Sequence, residues 1–321
     1  MPKFKAQKKP ILLIALGGNS LIRKDQEGTI DEQFANLRLA VCQIARLSND
    51  FRIIITHGNG PQVGNLMLQQ ESCDQVPRLP LEILVAQTEG QIGYMIESTL
   101  DEELMAVGIS DKPLVTLITY VVVDQNDPAF DNPTKPIGPV FSEEAARNLN
   151  YPTMITDKGY RRVVASPDPV TIIEKREINT LIDLDFIIIC CGGGGIPVIR
   201  DGRGFHGVHA VIDKDLASSR LALEASVDIF IITTEVAGAM IHYKEPNQTI
   251  LGKISLEEAE SCLKAGAFQT GSMQPKVEAI VRFIRGGGKR AIITSTDMLE
   301  AAISDVHVGT QIVAENKPED L

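Results

Sequence analysis

Six short, continuous apolar runs alternate along this chain with longer segments of helical character. The runs span residues 11–16, 52–56, 114–123, 186–191, 229–233 and 291–294, and the predicted helices span residues 31–47, 81–100, 213–225, 256–265 and 275–286. Unbroken apolar runs of this length are typical of strands that are buried on both faces of a parallel sheet. The alternation therefore predicts an α/β fold, a three-layer αβα sandwich with a mainly parallel central sheet.

Glycine-rich segments follow three of the predicted strands. They are Gly17-Gly18-Asn19 after the first run, Gly58-Asn59-Gly60 after the second, and four successive glycines that include Gly193 and Gly194 after the fourth. Ligands of parallel sheets bind at the carboxyl ends of the strands, and glycines let backbone amides approach a phosphate closely. We therefore expect an anion site at one edge of the sheet, although the first segment alone also fits a plain strand-to-helix turn.

Three lysines stand in stiff or glycine-rich surroundings. Lys135 lies between two prolines, Lys214 lies between two aspartates at a predicted helix start, and Lys276 follows a proline at another helix start. A cation at a helix start opposes the helix dipole. A solvated surface charge is the ordinary interpretation of any one lysine, but with the glycine segments the three indicate phosphoryl transfer. Asp215 is a candidate to orient the lysines or a metal ion, or serves only as a helix cap.

Prolines are dense between residues 124 and 169. Because proline cannot donate to a strand ladder, this region is not a central strand, and it is too long for an ordinary loop. Residues such as Tyr151 and Val163 can pack, which favours a protruding lid subdomain over a disordered insertion.

The bulk properties exclude several classes of protein. A formal net charge of −11 argues against a broad nucleic-acid interface. The chain has no apolar stretch long enough to span a membrane, no GK[ST] sequence, and no G-x-G-x-x-G after a strand. Five cysteines without CxxC spacing favour a reducing cytoplasm, with Cys190 and Cys191 as core thiols. His57 is interpreted as a residue that orients its loop, with a catalytic base as the alternative.

Eight segments, in order and over nearly the whole length, carry a resemblance to a known family. They read ALGGN (15–19), HGNGPQVG (57–64), QTEGQIGYM (87–95), VDQNDPAFDNPTKPIGP (123–139), GYRRVVASPDP (159–169), GGGGIPV (192–198), VIDKDLA (211–217) and GSMQPKVEA (271–279). On these residues the chain resembles the carbamate kinases of the amino acid kinase superfamily. General amino acid kinases carry a lysine two residues before the first Gly-Gly, whereas that position is Ala15 here, as in carbamate kinases.

The resemblance implies the amino acid kinase fold and reversible phosphoryl transfer between carbamoyl phosphate and ADP, which gives ATP and carbamate. Residues 1–222 would form the carbamate and phosphoryl lobe, with the lid at about 124–169 inserted in it, and residues 223–321 the nucleotide lobe. Mg²⁺ would accompany ADP or ATP and be held mainly by the nucleotide phosphates, with no metal site on the protein. The expected protein is a cytoplasmic homodimer of arginine catabolism that binds neither nucleic acid nor membrane.

The resemblance also implies roles for individual residues. Lys135 would reach the acyl phosphate from the lid, Lys214 and Lys276 would neutralise the phosphoryl group, and Asp215 would organise the lysines. The predicted carbamate and phosphoryl site comprises Gly17, Gly18, Asn19, Gly58, Asn59, Gly60, Gly193 and Gly194. The predicted nucleotide site comprises Thr233, Glu235, Met240, Met273 and Lys276.

The predicted nucleotide site departs from the family pattern. Family members often read TDVDGVY where this chain has TEVAGAM at 234–240, so Glu235 keeps a carboxylate, Ala237 loses one and Met240 replaces an aromatic residue. Gln274 stands where the family commonly has a glycine. Two alternatives stay open: a non-catalytic sensor of nucleotide or carbamoyl phosphate, and another amino acid kinase such as acetylglutamate or aspartate kinase.

Overall fold

A computed structural model describes residues 8–156, 159–243, 246–269 and 271–313. The strands are β1 (Ile11–Leu16), β2 (Arg52–His57), β3 (Leu114–Thr116), β4 (Tyr120–Val122), β5 (Lys135–Phe141), β6 (Thr153–Thr156), β7 (Gly159–Val164), β8 (Thr171–Ile172), β9 (Ile187–Ile189), β10 (Ile196–Asp201), β11 (Gly204–Gly207), β12 (Ile229–Thr234), β13 (Met240–Ile241), β14 (Thr249–Ile250), β15 (Lys253–Ser255), β16 (Arg290–Ser295) and β17 (Thr310–Val313). The helices are α1 (Ile30–Leu47), α2 (Gly60–Glu71), α3 (Leu81–Ala106), α4 (Glu143–Arg147), α5 (Lys175–Asp183), α6 (Lys214–Glu224), α7 (Leu256–Lys264), α8 (Met273–Arg285) and α9 (Leu299–Ser304).

An eight-stranded sheet organises the molecule, in the order β15-β17-β16-β12-β1-β2-β9-β3. The six strands from β16 to β3 run parallel to one another, while β17 pairs antiparallel with β16 and parallel with β15. Strands from both predicted lobes share this sheet, since β1, β2, β3 and β9 precede residue 222 and the other four follow it. The boundary between the lobes itself stays a prediction.

Helices cover both faces of the sheet, because the central strands are apolar on both sides. In β1, Leu13 belongs to one buried cluster, which also receives side chains of α5, α6, α7 and α8. Leu12 and Ile14 belong to a second cluster on the opposite face, against α1, α3 and α9. The predicted αβα sandwich with a mainly parallel sheet is therefore confirmed. Among the described residues no helix is both long and apolar enough to cross a membrane.

The single strand predicted over 114–123 is wrong. The chain pairs with β9 as β3, leaves the main sheet, and continues as β4 in a second sheet of order β11-β10-β4-β8. The change occurs at Thr119, whose amide donates to the Glu89 carboxyl (3.0 Å) and whose carbonyl accepts from Ile196 (2.8 Å). These hydrogen bonds take the place of ladder bonds to β9, and an apolar pattern alone does not report them.

The proline-rich region folds around a separate three-stranded antiparallel sheet of order β5-β7-β6, together with α4. Its strand β5 lies directly on α2, because a Cβ atom on Gly64 of α2 would fall 2.2 Å from the Cα atom of Gly138. Gly138 has a φ of +70°, which favours glycine at that position. Arg161 of β7 donates to the Gly138 carbonyl from two nitrogens (2.8 and 3.1 Å) and holds the contact from the other side.

Candidate active site

The glycine segments and the end of β12 meet at one edge of the sheet, because β12, β1, β2 and β9 are neighbours and parallel. The amide of Gly17 donates to Thr233 Oγ1 (2.9 Å), and a Cβ atom on Gly17 would lie 2.5 Å from the Thr233 carbonyl oxygen. Asn19 donates to the Thr234 carbonyl (3.0 Å) and to Thr296 Oγ1 (3.2 Å). The first glycine segment is thus fastened to the ends of β12 and β16.

The glycine run after β9 needs its glycines. Gly193 and Gly194 have φ values of +65° and +97°, which side chains rarely adopt. A Cβ atom on Gly193 would lie 2.2 Å from Asn59 Cγ, and one on Gly194 would lie 2.4 Å from the Ile212 carbonyl oxygen. The glycine run is therefore packed closely between Asn59 of the second glycine segment and Ile212, which precedes α6. By contrast, Gly18 and Gly60 have open space where a side chain would stand.

Three lysines and two aspartates, Lys135, Asp213, Lys214, Asp215 and Lys276, form one group that we call the lysine–aspartate cluster. Asp215 is 3% exposed and pairs through one oxygen with Lys214 (2.5 Å) and through the other with Lys276 (2.9 Å). Lys135 of β5 pairs with Asp213 (2.5 Å). Residues from β5, α6 and α8 are thus brought together as the sequence predicted, although their roles in a reaction stay predictions.

Burial and ion pairing set the charges of this cluster. Burial lowers the pKa of Lys214, against the opposing effect of Asp215. Burial alone would raise the pKa of Asp215, but the two lysines outweigh it and hold that pKa well below its usual range. Burial likewise opposes the charge of Lys276, yet Asp215 raises its pKa above the ordinary value. Two ammonium groups therefore share one carboxylate, which leaves a net positive charge for an anionic ligand.

Asp213 is a functional candidate that the sequence reasoning did not select. Its Oδ1 caps α6 by accepting from the amides of Asp215 (2.9 Å) and Leu216 (3.3 Å), while its Oδ2 accepts from Lys135 (2.5 Å). Burial opposes its charge, but Lys135 more than compensates, so its pKa is lowered. The available signal was an aspartate directly before Lys214. Helix capping was considered for Asp215, whereas the structure makes Asp213 the N-cap of α6.

His57 is buried, and its Nδ1 lies 3.1 Å from the Gly58 carbonyl oxygen. Burial lowers its pKa to about 4, and the charge of Lys214 acts in the same direction. The ring is therefore neutral at neutral pH and a weak base. These contacts fit the interpretation of His57 as a residue that orients its loop.

The predicted nucleotide residues are less tightly gathered. Thr233 is fully buried at the end of β12, and Met273 is buried at the start of α8. Glu235 is exposed but close enough to Lys276 to support its positive charge. Met240 is half-buried and pairs with Ile250 in the β13–β14 ribbon. The structure thus connects Thr233 to the first glycine segment and Glu235 to the cluster, and it sets Met240 in a separate small sheet.

Glycine segments at strand ends beside buried lysines are the arrangement that a phosphoryl-transfer enzyme requires. The model of a known family, described as the amino acid kinase family, matches residues 10–295. The chain belongs to the amino acid kinase family. Its members transfer phosphoryl groups, so the chain is a kinase, that is, a phosphotransferase.

Individual relatives narrow this assignment. The chain is 46% identical to the carbamate kinase of Thermococcus kodakarensis, over 95% of this chain and 99% of that protein, and 43% identical to that of Trichomonas vaginalis, over 94% and 99%. A solved structure of Giardia lamblia carbamate kinase bound to AMP-PNP superposes with a TM-score of 0.87 at 38% identity, covering 96% of this chain and 99% of that one. Within the family the chain therefore belongs with the carbamate kinases.

A more distant likeness concerns the fold alone. N-acetylglutamate synthase of Neisseria gonorrhoeae, complexed with coenzyme A and N-acetyl-glutamate, superposes with a TM-score of 0.56 at 16% identity. The match covers 96% of this chain and 60% of that chain. This likeness gives no support for an amino acid as the substrate of the present chain.

Proposed function

We propose that this family member is a carbamate kinase, which transfers the phosphoryl group of carbamoyl phosphate to ADP and gives ATP and carbamate. The observation that carries the proposal is the lysine–aspartate cluster, because buried ammonium groups with excess positive charge stand beside the phosphate-facing glycines. During the transfer a bond forms between phosphorus and an oxygen of the ADP β-phosphate. The bond between phosphorus and the carbamoyl oxygen breaks, and carbamate leaves with that electron pair.

In this reaction Lys214 and Lys276 stabilise the negative charge that spreads over the oxygens of the transferring group. Asp215 holds both lysines in place through its two oxygens. Lys135 approaches from the sheet that β5 shares with β6 and β7, and it changes its partner from Asp213 to the acyl phosphate. Carbamate leaves as an anion that needs no proton, so the weakly basic His57 has no acid–base duty.

We further propose that Mg²⁺ enters the site with the nucleotide. Asp213 and Asp215 are both occupied by lysines, and no three side chains among the described histidines, cysteines, aspartates and glutamates are arranged to hold a metal ion. The nucleotide phosphates would therefore supply most of the ligands. When bound there, the ion neutralises phosphate charge, while the lysines act on the transferring group.

We also propose a homodimer formed through α3 and the sheet edge. Strand β3 ends the eight-stranded sheet with an unpaired edge, which proteins usually protect. On α3, Ile83, Tyr94 and Met105 are spaced eleven residues apart, so they lie on one face, and they are 43%, 66% and 60% exposed. A second copy of the chain would cover this face.

Light scattering of two variants tests the dimer. Tyr94→Asp should yield monomers. Ile155 of β6 is similarly exposed but lies away from this face, so Ile155→Asp should leave the dimer intact.

The assay that tests the reaction mixes pure protein with carbamoyl phosphate and MgADP and follows ATP. We expect ATP formation well above the non-enzymatic background, and its absence would refute the proposal. Binding of ADP in calorimetry without turnover would support a non-catalytic sensor instead. Phosphorylation of acetylglutamate or aspartate from ATP would support another amino acid kinase.

A role in arginine catabolism and a place in the cytoplasm remain predictions. Growth on arginine after deletion of the gene would test the role in arginine catabolism.

A further inference from the structure

A buried glutamate stands behind the glycine run and belongs to neither the cluster nor the predicted sites. Glu89 of α3 is 1% exposed. Its Oε2 accepts the amide of Thr119 (3.0 Å), and its Oε1 has no hydrogen-bond partner among the described residues. No lysine or arginine in the described part of the chain pairs with it. A buried carboxyl without a cation is costly, so its presence calls for a reason.

Thr119 connects this carboxyl to the glycine run. Its Oγ1 accepts the amide of Cys191 (3.0 Å), and its carbonyl accepts the amide of Ile196 (2.8 Å). Thr119 therefore binds the residues on both sides of the run from 192 to 195. The Glu89 carboxyl fixes Thr119 in turn, through the Thr119 amide that the strand ladder leaves free.

Glu89 also touches the run directly. A Cβ atom on Gly192 would lie 3.0 Å from Glu89 Cγ and 2.5 Å from His57 Nε2, so both side chains press against this glycine. The Gly192 amide is close enough to interact with the carboxyl. The run thus has Asn59 on one side, at Gly193, and Glu89 with His57 behind it.

We propose that Glu89 is a positioning residue for phosphoryl transfer, which holds the glycine run in its shape through Thr119 and through contact with Gly192. This inference rests on the proposed function, since the run faces the transferring group only if that reaction occurs. It assigns the carboxyl a structural task at the site rather than contact with substrate.

The groups around Glu89 influence whether its carboxyl is protonated. Burial raises the pKa of Glu89 well above its ordinary value of 4.5, and the negative charge of Glu174 raises it further, whereas the hydrogen bond from the Thr119 amide opposes this. The titratable groups that face it are His57 from β2, Glu174 before α5, and Cys190 and Cys191 after β9. None of these is a cation at neutral pH, so the surroundings favour the protonated carboxyl, and glutamine is the replacement that matches this form in shape and charge.

The unfolding temperature reports this protonation state independently of activity. Between pH 4.5 and the raised pKa the unfolded chain releases the proton of Glu89 and the folded chain keeps it, so the contribution of Glu89 to wild-type stability falls as pH rises. Glu89→Gln lacks this loss, so its unfolding temperature relative to wild type should rise as pH increases above 4.5, up to the pKa of Glu89 in the folded protein. Glu102→Gln, an exposed glutamate on the same helix, should show no such trend.

Activity reports the positioning role. Thr119→Val and Glu89→Ala should lower kcat about tenfold per folded molecule, while Glu89→Gln should retain wild-type kcat at pH 6. If the difference in unfolding temperature between Glu89→Gln and wild type did not change with pH, the inference would be wrong. An unchanged kcat in Thr119→Val would also overturn it. In both cases, turnover by the wild-type protein would still uphold the proposed function. A wild-type protein without turnover would refute the proposed function, and the inference with it.

Discussion

The lysine–aspartate cluster and the segment of residues 233–240 lie at the carboxyl edge of the same sheet, yet they are held in different ways. Every charged group of the cluster has a partner of opposite charge at 2.5–2.9 Å, supplied by a distant part of the chain or by a neighbour on α6. The segment is fastened at Thr233, to Gly17, and at Ala239, to Thr310, while Glu235 and Ala237 between them are exposed. Contacts within the protein therefore fix the geometry of the whole cluster, but they fix only the two ends of the segment of residues 233–240.

This difference teaches where the chain tolerates change. A site that stabilises a transition state must hold its charges before the ligand arrives, so its residues depend on one another. A segment that contacts a nucleotide from an exposed loop can vary one residue at a time. Two departures from the family pattern, at Ala237 and Met240, fall in the second region. A third, Gln274, lies on α8 close to Lys276, while the cluster residues themselves match the family.

Removal of the central carboxylate should have the largest effect. Asp215→Asn leaves Lys214 and Lys276 buried beside each other without a counter-charge, which should cost about 3–5 kcal/mol of unfolding free energy. Urea denaturation at pH 7 measures it. Asp74→Asn serves as the control, because Asp74 is 90% exposed, pairs only across the surface with Arg78, and should lose much less. Equal losses in both variants would remove the contrast between the cluster and an ordinary surface pair.

Loss of one cluster lysine should affect the rate next. Lys214→Ala should lower kcat by about 10²–10³-fold, equivalent to about 3–4 kcal/mol, since a preorganised charge at the transferring group is removed. ATP formation from carbamoyl phosphate and MgADP measures it. Lys289→Ala, a lysine that is 77% exposed and also paired with an aspartate, should keep wild-type kcat. A Lys214→Ala enzyme within tenfold of wild type would mean that the cluster does not stabilise the reaction.

The pH dependence of stability should report the burial of His57, which lies next to the cluster. The pKa of His57 is lowered to about 4 from 6.5, so below pH 6.5 the unfolded chain gains a proton that the folded chain refuses. The contribution of His57 to stability should therefore fall by about 3 kcal/mol as pH drops from 6.5 to 4. His57→Gln should reduce this slope, measured by denaturation at each pH. His206→Gln, an exposed histidine of β11, should retain it.

The smallest effect is expected in the segment of residues 233–240. Met240→Tyr restores the aromatic residue of the family pattern and should lower the KM for ADP about two- to tenfold, or ~0.5–1.5 kcal/mol, with kcat unchanged. Met298→Tyr, at an exposed methionine next to α9, should change neither constant. A change in kcat with Met240→Tyr would show that this segment and the cluster are energetically coupled, and it would contradict the conclusion that the two regions are held independently.

The fold was predictable where burial is two-sided. Strand β1 has the predicted bounds because all six of its residues are apolar and buried. The edge strands β15 and β17 were not predicted, because they are short and include polar residues such as Lys253 and Gln311. The single strand over 114–123 was predicted wrongly because the Thr119 amide donates to the carboxyl of Glu89, a residue of α3, instead of to the strand ladder.

The candidate site was predictable from local context only in part. Proline and glycine neighbours marked Lys135, Lys214 and Lys276, and the structure brings these lysines together with Asp215. Asp213 and Glu89 escaped notice because their tasks depend on partners far along the chain. A capping aspartate and a helical glutamate look in sequence like the many such residues that face solvent.

The pairing of Lys135 with Asp213 has a further consequence for selectivity. Any anion that recruits this ammonium group must displace a carboxylate that is already in contact with it and tethered to the same molecule. A singly charged carboxylic acid gains little from such an exchange, whereas a doubly charged phosphoryl group gains more. Asp213 thus competes with incoming anions for the ammonium group of Lys135. This competition should disfavour small carboxylic acids relative to phosphorylated ligands.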